Sequence, residues 1–160
     1  MANYTSRVFY GIIYTERKGI NMCEKKEKKV IQSENAPKAI GPYSPGVMVC
    51  DLVFLSGQLG IDPSSGEFVQ GGVEAQTEQA LKNLRSLLIS NGGDLSDIVK
   101  TTIFLADIKD LSRVNEVYGS FFTDYPPARS TIQVAGLPKG GLVEIEAIAY
   151  LHQDYDDGND

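Results

Sequence analysis

The chain has no tryptophan, one histidine and two cysteines in 160 residues, and each scarcity removes a class of function. Cys23 and Cys50 stand far apart with no CxxC spacing, which excludes a disulfide framework and the zinc sites recognisable from sequence. The single His152 lies near the C-terminus, poorly placed for a Ser-His-Asp or Cys-His apparatus. Basic residues are outnumbered, 15 Lys and Arg against 21 Asp and Glu. The resulting net charge of -6 leaves no electrostatic footprint for nucleic acid, whose binding needs clustered cations. The one dense basic run, KKEKK from Lys25 to Lys29, is interrupted by Glu27 and reads as a solvated arm. No apolar run approaches the roughly 20 residues needed to span a bilayer. VFYGIIY, residues 8–14, is followed by TERKG instead of a small-residue cleavage site, which makes it a poor signal peptide. Low cysteine usage and the lack of a span or signal point to a cytoplasmic protein in a reducing compartment.

What remains is the composition of an ordinary globular domain, 42% hydrophobic and 22% charged. Residues 1–28 read as an N-terminal extension, disordered or added by an upstream start, since Met22 opens a more conventional polar lead-in. A single domain is expected over 29–152, and DYDDGND closes the chain in an acidic solubilising tail, 153–160. KKVIQ, GVMVC and LVFLSGQL read as strands, the last two joined by a turn at Asp51. Residues 73–90 are helical by periodicity, with Val73, Ala80, Leu81, Leu84, Leu87 and Leu88 on one stripe and Asn91, Gly92 and Gly93 as the stop. DIVKTTIFLADI suits a buried strand. A second helix is predicted from Asp110 as N-cap, with Leu111, Val114, Val117, Tyr118, Phe121 and Phe122 at helical spacing. The order implies an α+β sheet with two helices on one face. The other face must meet water or another subunit, and its apolar content favours the subunit.

The last element, RSTIQVAGLPKGGLVEIEAIAYL from Arg129 to Leu151, reads as a β-hairpin with charge in its strands. Side chains alternate along a strand. Matching the apolar faces therefore predicts Arg129, Thr131, Glu144 and Glu146 together on one side. One cation and two carboxylates there could form an ion-pair network, but buried pairs gain little net stability. A site explains them better: Arg129 presents a planar fork to a carboxylate, and Glu144 or Glu146 handles a proton or water, spacing alone leaving open which. Tyr43 lies in the Pro- and Gly-rich AIGPYSPG, where it either anchors a loop or lines a cleft. Ser56 and Gly57 end a buried strand, as a bulge or as a close backbone approach to a ligand. Asn115 interrupts the apolar side of the second helix.

AIGPYSPG, FLSGQLGIDP, IVKTTIFLADIKDLSRVNEVYGSFF, YPPARSTIQVAGLP and VEIEAIA together resemble the RidA (YjgF-like) family of enamine/imine deaminases, also described as the endoribonuclease L-PSP family. The resemblance runs from Lys29 to Leu151. It implies a chorismate-mutase-like fold assembled as a homotrimer around a barrel of sheets, with clefts at subunit interfaces. It implies hydrolysis of 2-imino acids and enamines of the 2-aminoacrylate type to 2-keto acids and ammonia, as metabolite damage control, without metal or cofactor. In its terms Arg129 binds the substrate carboxylate, Glu144 orients or activates water, and Tyr43, Ser56, Gly57, Asn115 and Thr131 shape the pocket. Thr131 stands where many relatives carry Cys. Two further readings come with the scaffold: a regulatory protein that binds small keto acids without turnover, and an endoribonuclease or translation inhibitor. The acidic charge weighs against the last.

Overall fold

The computed structural model describes residues 28–151 and, as strands only, residues 4–9 and 12–17. His152, Cys23 and the acidic tail lie outside the described residues. Strands β1 (Tyr4–Phe9) and β2 (Ile12–Arg17) pair antiparallel as a separate two-stranded sheet, elements that periodicity had not suggested. The domain proper is a six-stranded sheet built from β3 (Lys29–Ile31), β4 (Gly46–Val49), β5 (Leu52–Leu59), β6 (Ile98–Leu105), β7 (Ala128–Gln133) and β8 (Val143–Tyr150). The spatial order is β3-β4-β5-β8-β6-β7, antiparallel throughout except for the parallel pair β6 and β7.

Helices α1 (Gly72–Ile89) and α2 (Leu111–Phe121) cover one face of this sheet, as periodicity predicted. The α1 stripe is buried as expected. It also carries three buried polar residues, and each has a partner, as burial demands. Thr77 donates to the Val73 carbonyl at 2.7 Å. Asn83 donates to the carbonyls of Leu59 and Ile61 at 3.1 and 2.9 Å, and the Gln76 side-chain oxygen accepts the Leu142 N–H at 2.9 Å. These amides grip the end of β5 and the entry to β8. Gly60 lies against the Gln76 backbone so closely that any side chain there would drive α1 off the sheet.

Asp110 is the N-cap residue of α2, as expected, but its side chain does not cap. A turn of 3-10 helix, Ile108–Asp110, precedes α2, so Asp110 already has helical dihedrals and makes no side-chain cap bond. Asp107 caps that turn through the Lys109 N–H. Asp110 instead joins Glu74 in holding Arg113, whose guanidinium makes two bonds of 2.6 Å to Glu74 and one of 2.9 Å to Asp110, clamping α2 to α1. The expected turn between β4 and β5 is Cys50-Asp51. Cys50 there is disulfide-bonded, which the expectation of a reducing compartment did not anticipate.

The larger correction concerns the final hairpin: β7 and β8 do not pair, because β6 runs between them. Helix α2 carries the chain from β6 back across the sheet, which makes β7 parallel to β6 and leaves it at the edge. Residues directly opposite one another share a face. Thr101 pairs with both Arg129 and Ala147, and Ile103 with both Thr131 and Ile145, so Arg129 and Thr131 lie on the helix-covered face. Glu144 and Glu146 pair with Phe104 and Thr102 and lie on the opposite, uncovered face. The predicted grouping fails because that open face is itself apolar. Leu52, Phe54, Ile132 and Tyr150 are exposed on it, so matching apolar positions no longer tells one face from the other.

Candidate active site

The residues singled out from the sequence form two groups instead of one. The first surrounds the edge strand β7. Arg129 is exposed, has no carboxylate within ion-pair distance among the described residues, and donates through Nη2 to Asn115 Oδ1 at 2.8 Å. Its guanidinium carbon sits 4.7 Å from the centre of the Tyr118 ring. Asn115 is exposed on α2, and its carboxamide is turned toward the strand by this bond. The result is a planar fork with one end held and the remaining N–H groups available.

Thr131, two residues on, points to the same face. Its Oγ1 is fully buried and has no hydrogen-bond partner. An orphaned buried hydroxyl costs roughly 1–3 kcal/mol. Thr131→Val is therefore expected to raise stability by about 1 kcal/mol, read as a higher midpoint in urea; an unchanged or lower midpoint would mean that the hydroxyl has a partner in solution.

The second group lies beyond the sheet's uncovered side. The β5–β8 register shifts between Leu55 and Gln58, so Ser56 and Gly57 form a bulge. The bulge expected from the sequence is present, and it brings the Gly57 backbone close to the Glu144 side chain. The Glu144 carboxylate occupies the space that a side chain at position 57 would take. Ser56 Oγ donates to the Ser44 carbonyl at 2.7 Å and its N–H to Pro45 at 2.9 Å, pinning the preceding loop. Tyr43 on that loop is half exposed, and its hydroxyl accepts the Ile40 N–H at 3.4 Å. Tyr43 and Gly57 line a cleft of about 450 Å³ together with Pro45, Gln58 and Lys139.

Glu144 is the titratable group of this set whose environment is perturbed. Burial raises its pKa above the ordinary glutamate value, and the like charge of Glu146, two residues along the same face, adds to the effect. Glu146 itself is exposed. Of the two carboxylates left open by spacing, Glu144 is the half-buried one, and its proton affinity is raised.

Arg129 and Glu144 are not brought together within one chain. They stand on opposite faces, two strands apart, which is about 10 Å to the side. Two members of the first group were not singled out from the sequence. Tyr118 was read only as part of the α2 apolar stripe, and Thr101 only as part of a buried strand. The hydroxyls of these two residues share a hydrogen bond of 2.8 Å. A signal for Tyr118 did exist, since it follows Asn115 by one helical turn. Among the described residues no cluster of three or more His, Cys, Asp or Glu could hold a metal ion.

A mixed six-stranded sheet with two helices on one face, a bulge against a half-buried glutamate, and an edge-strand arginine fork with no carboxylate partner among the described residues define an α+β domain of the YjgF-like class. The chain belongs to the endoribonuclease L-PSP, or RidA, family, whose profile, described as "Endoribonuclease L-PSP", matches residues 33–151. It is 54% identical over 124 residues to Protein DfrA of Myxococcus xanthus, covering 76% of this chain and 95% of that one. It is 51% identical over 122 residues to the 2-iminobutanoate/2-iminopropanoate deaminase of Homo sapiens, covering 76% of this chain and 89% of the relative. The structure of E. coli TdcF with bound serine superposes with a TM-score of 0.74 at 41% identity, covering 78% of this chain and 99% of that one.

Proposed function

We propose that this protein hydrolyses 2-imino acids and their enamine tautomers, of the 2-aminoacrylate type, to 2-keto acids and ammonia. The observation that carries the reading is the pairing of an arginine fork, with no carboxylate partner among the described residues, with a glutamate whose pKa is raised by burial. Close similarity to a relative named for this reaction supports it. In the proposed mechanism Arg129 takes the substrate carboxylate through parallel N–H bonds. The imine carbon is already electrophilic, so no cofactor is required. Glu144 accepts a proton from water as its oxygen adds to that carbon. It delivers that proton to the nitrogen to give the neutral carbinolamine, then takes the carbinolamine hydroxyl proton and passes it to the amine as the C–N bond breaks and the C=O bond forms, releasing ammonia. Tyr43, Ser56 and Gly57 form the wall beside Glu144; Asn115 and Thr131 form the wall beside Arg129.

Because the two halves lie on opposite faces of one sheet, the reading requires that one copy's Arg129 meet another copy's Glu144. The exposed apolar side chains Leu52, Phe54, Ile132 and Tyr150 support association through the uncovered face, and we propose a homotrimer with its sheets turned inward. Residues 29–152 form the catalytic domain in this proposal, with 1–28 and the acidic tail outside it, and the setting is the cytosol, where dehydratases release imines. Among the described residues no helix is long and apolar enough to cross a membrane.

The test is keto-acid release from imine generated in situ by a serine or threonine dehydratase with a competing scavenger present. Acceleration by the wild type is expected; binding of 2-ketobutanoate without acceleration would move the assignment to a ligand-binding regulator. Gly57→Ala should lower turnover by about a hundredfold, because the new methyl displaces the Glu144 carboxylate. Its melting temperature should stay close to that of the wild type, since the displaced atoms are the end of a flexible side chain. A Gly57→Ala protein with full activity would remove Glu144 from its proposed position.

Glu146→Gln tests the electrostatics. Removing the like charge lowers the Glu144 pKa, so the carboxylate stays ionised to lower pH. The acid limb of the kcat/KM profile should shift to lower pH. A limb that does not move, or moves upward, contradicts Glu144 as the base.

A further inference from the structure

Arg129 stands on an edge strand, where a long side chain ordinarily spreads over many rotamers at a cost of about 2 kcal/mol to order. Here its guanidinium lies over the Tyr118 ring, 4.7 Å from the centroid and inside the roughly 6 Å range at which a cation is drawn to a ring face. The ring is itself immobilised. Tyr118 is buried on α2, its hydroxyl shares a 2.8 Å bond with the buried Thr101 hydroxyl, and the Phe122 ring packs against it at 4.5 Å. Thr101 is the β6 residue directly opposite Arg129 in the register. The connections therefore close a loop, from the Arg129 backbone across the ladder to Thr101, through the hydroxyl pair to Tyr118, and from the ring face back to the guanidinium. Burial raises the Tyr118 pKa, so the phenol stays neutral and the ring face, not a phenolate, meets the cation.

A tyrosine that served only to fill the core would need neither a guanidinium over its face nor a hydroxyl bond to the residue that registers that arginine. We propose that Tyr118 is a positioning residue for substrate recognition: its ring face, locked by Thr101, holds the Arg129 guanidinium ready for the carboxylate of a 2-imino or 2-keto acid. The inference rests on the reading of Arg129 as the carboxylate fork. Asn115 fixes one end of the guanidinium and Tyr118 fixes its plane, leaving the other N–H groups to make two parallel bonds. Carboxylate binding is made equally in the ground and transition states, so its loss should appear in KM and not in kcat.

The experiment compares wild type, Tyr118→Phe, the protein with pentafluorophenylalanine at position 118, and Arg129→Ala. It reads the Kd for 2-ketobutanoate by calorimetry alongside KM and kcat for the imine. Phenylalanine keeps the ring's negative face, and its Kd should lie within about twofold of wild type. Pentafluorophenylalanine keeps the shape and abolishes the negative face, so Kd and KM should rise roughly threefold to tenfold with kcat nearly unchanged. A purely structural ring would give the two variants the same Kd, which would overturn the proposal. So would a Phe variant as impaired as Arg129→Ala, because the hydroxyl and not the face would then be the active part. If Arg129→Ala loses binding while the fluorinated ring does not, the inference alone fails. If Arg129→Ala binds 2-ketobutanoate like wild type, the carboxylate role of Arg129 fails first and takes the inference with it. Tyr118→Met, which fills the space without a π face, provides the same comparison should the fluorinated protein fail to fold.

Discussion

Arg129→Lys is expected to lower kcat/KM for 2-iminobutanoate roughly a hundredfold while leaving the melting temperature within a few degrees of wild type. The argument is geometric. Lysine keeps the charge but offers a single ammonium on a flexible stem, whereas the guanidinium is planar and can bond a carboxylate with two parallel N–H groups. Its bond to Asn115 and its seat on Tyr118 both depend on that plane. The fold should tolerate the change, because Arg129 is exposed on an edge strand and has no ion pair to lose among the described residues. Arg129→Ala should be worse still and should abolish 2-ketobutanoate binding. A folded Arg129→Lys protein with the wild-type kcat/KM would sink the carboxylate role.

Glu144→Gln is expected to reduce kcat by roughly 10²–10⁴-fold, the usual contribution of a general acid or base. It should at the same time leave the protein as stable as wild type or more so at neutral pH. The Glu144 pKa is raised in the folded chain by burial and by Glu146, so the stability linked to this group is fully present below the unfolded glutamate value and is lost as pH rises through the folded value. Glutamine does not titrate, so the variant lacks that loss. Thermal melts of both proteins across the weakly acidic range should show the gap growing in the variant's favour as pH rises. A gap that shrinks with rising pH would mean that the ionised carboxylate is stabilised in the fold, contrary to the burial described here.

These two effects sit at opposite ends of what could be read without coordinates. Helix α1 was legible to within a residue, because its stripe from Val73 to Leu88 repeats at 3.6 and Gly92 and Gly93 end it. The strands β3, β4, β5 and β6 were legible too, as apolar runs bounded by turn residues. Asp110 was placed correctly at the start of α2, but its capping role passed to Asp107 because a 3-10 turn, invisible to periodicity, precedes the helix. Tyr118 was filed with the core, correctly by burial, but the same spacing that makes it core also puts it beside Asn115 and beneath Arg129.

The hairpin shows where sequence reasoning stops. Alternation within each strand was right: Arg129 and Thr131 do share a face, and so do Glu144 and Glu146. The error lay in joining the two strands, because proximity in the chain favours a hairpin while in the sheet β8 is seated between β5 and β6. Local periodicity is recorded in neighbouring residues, so the amino-acid sequence by itself determined the two helices, the strands of the six-stranded sheet and the alternation along each one. Strand order is a long-range choice among pairings that all satisfy the same local pattern, so only the tertiary structure decided that the arginine fork and the tuned glutamate lie on opposite faces.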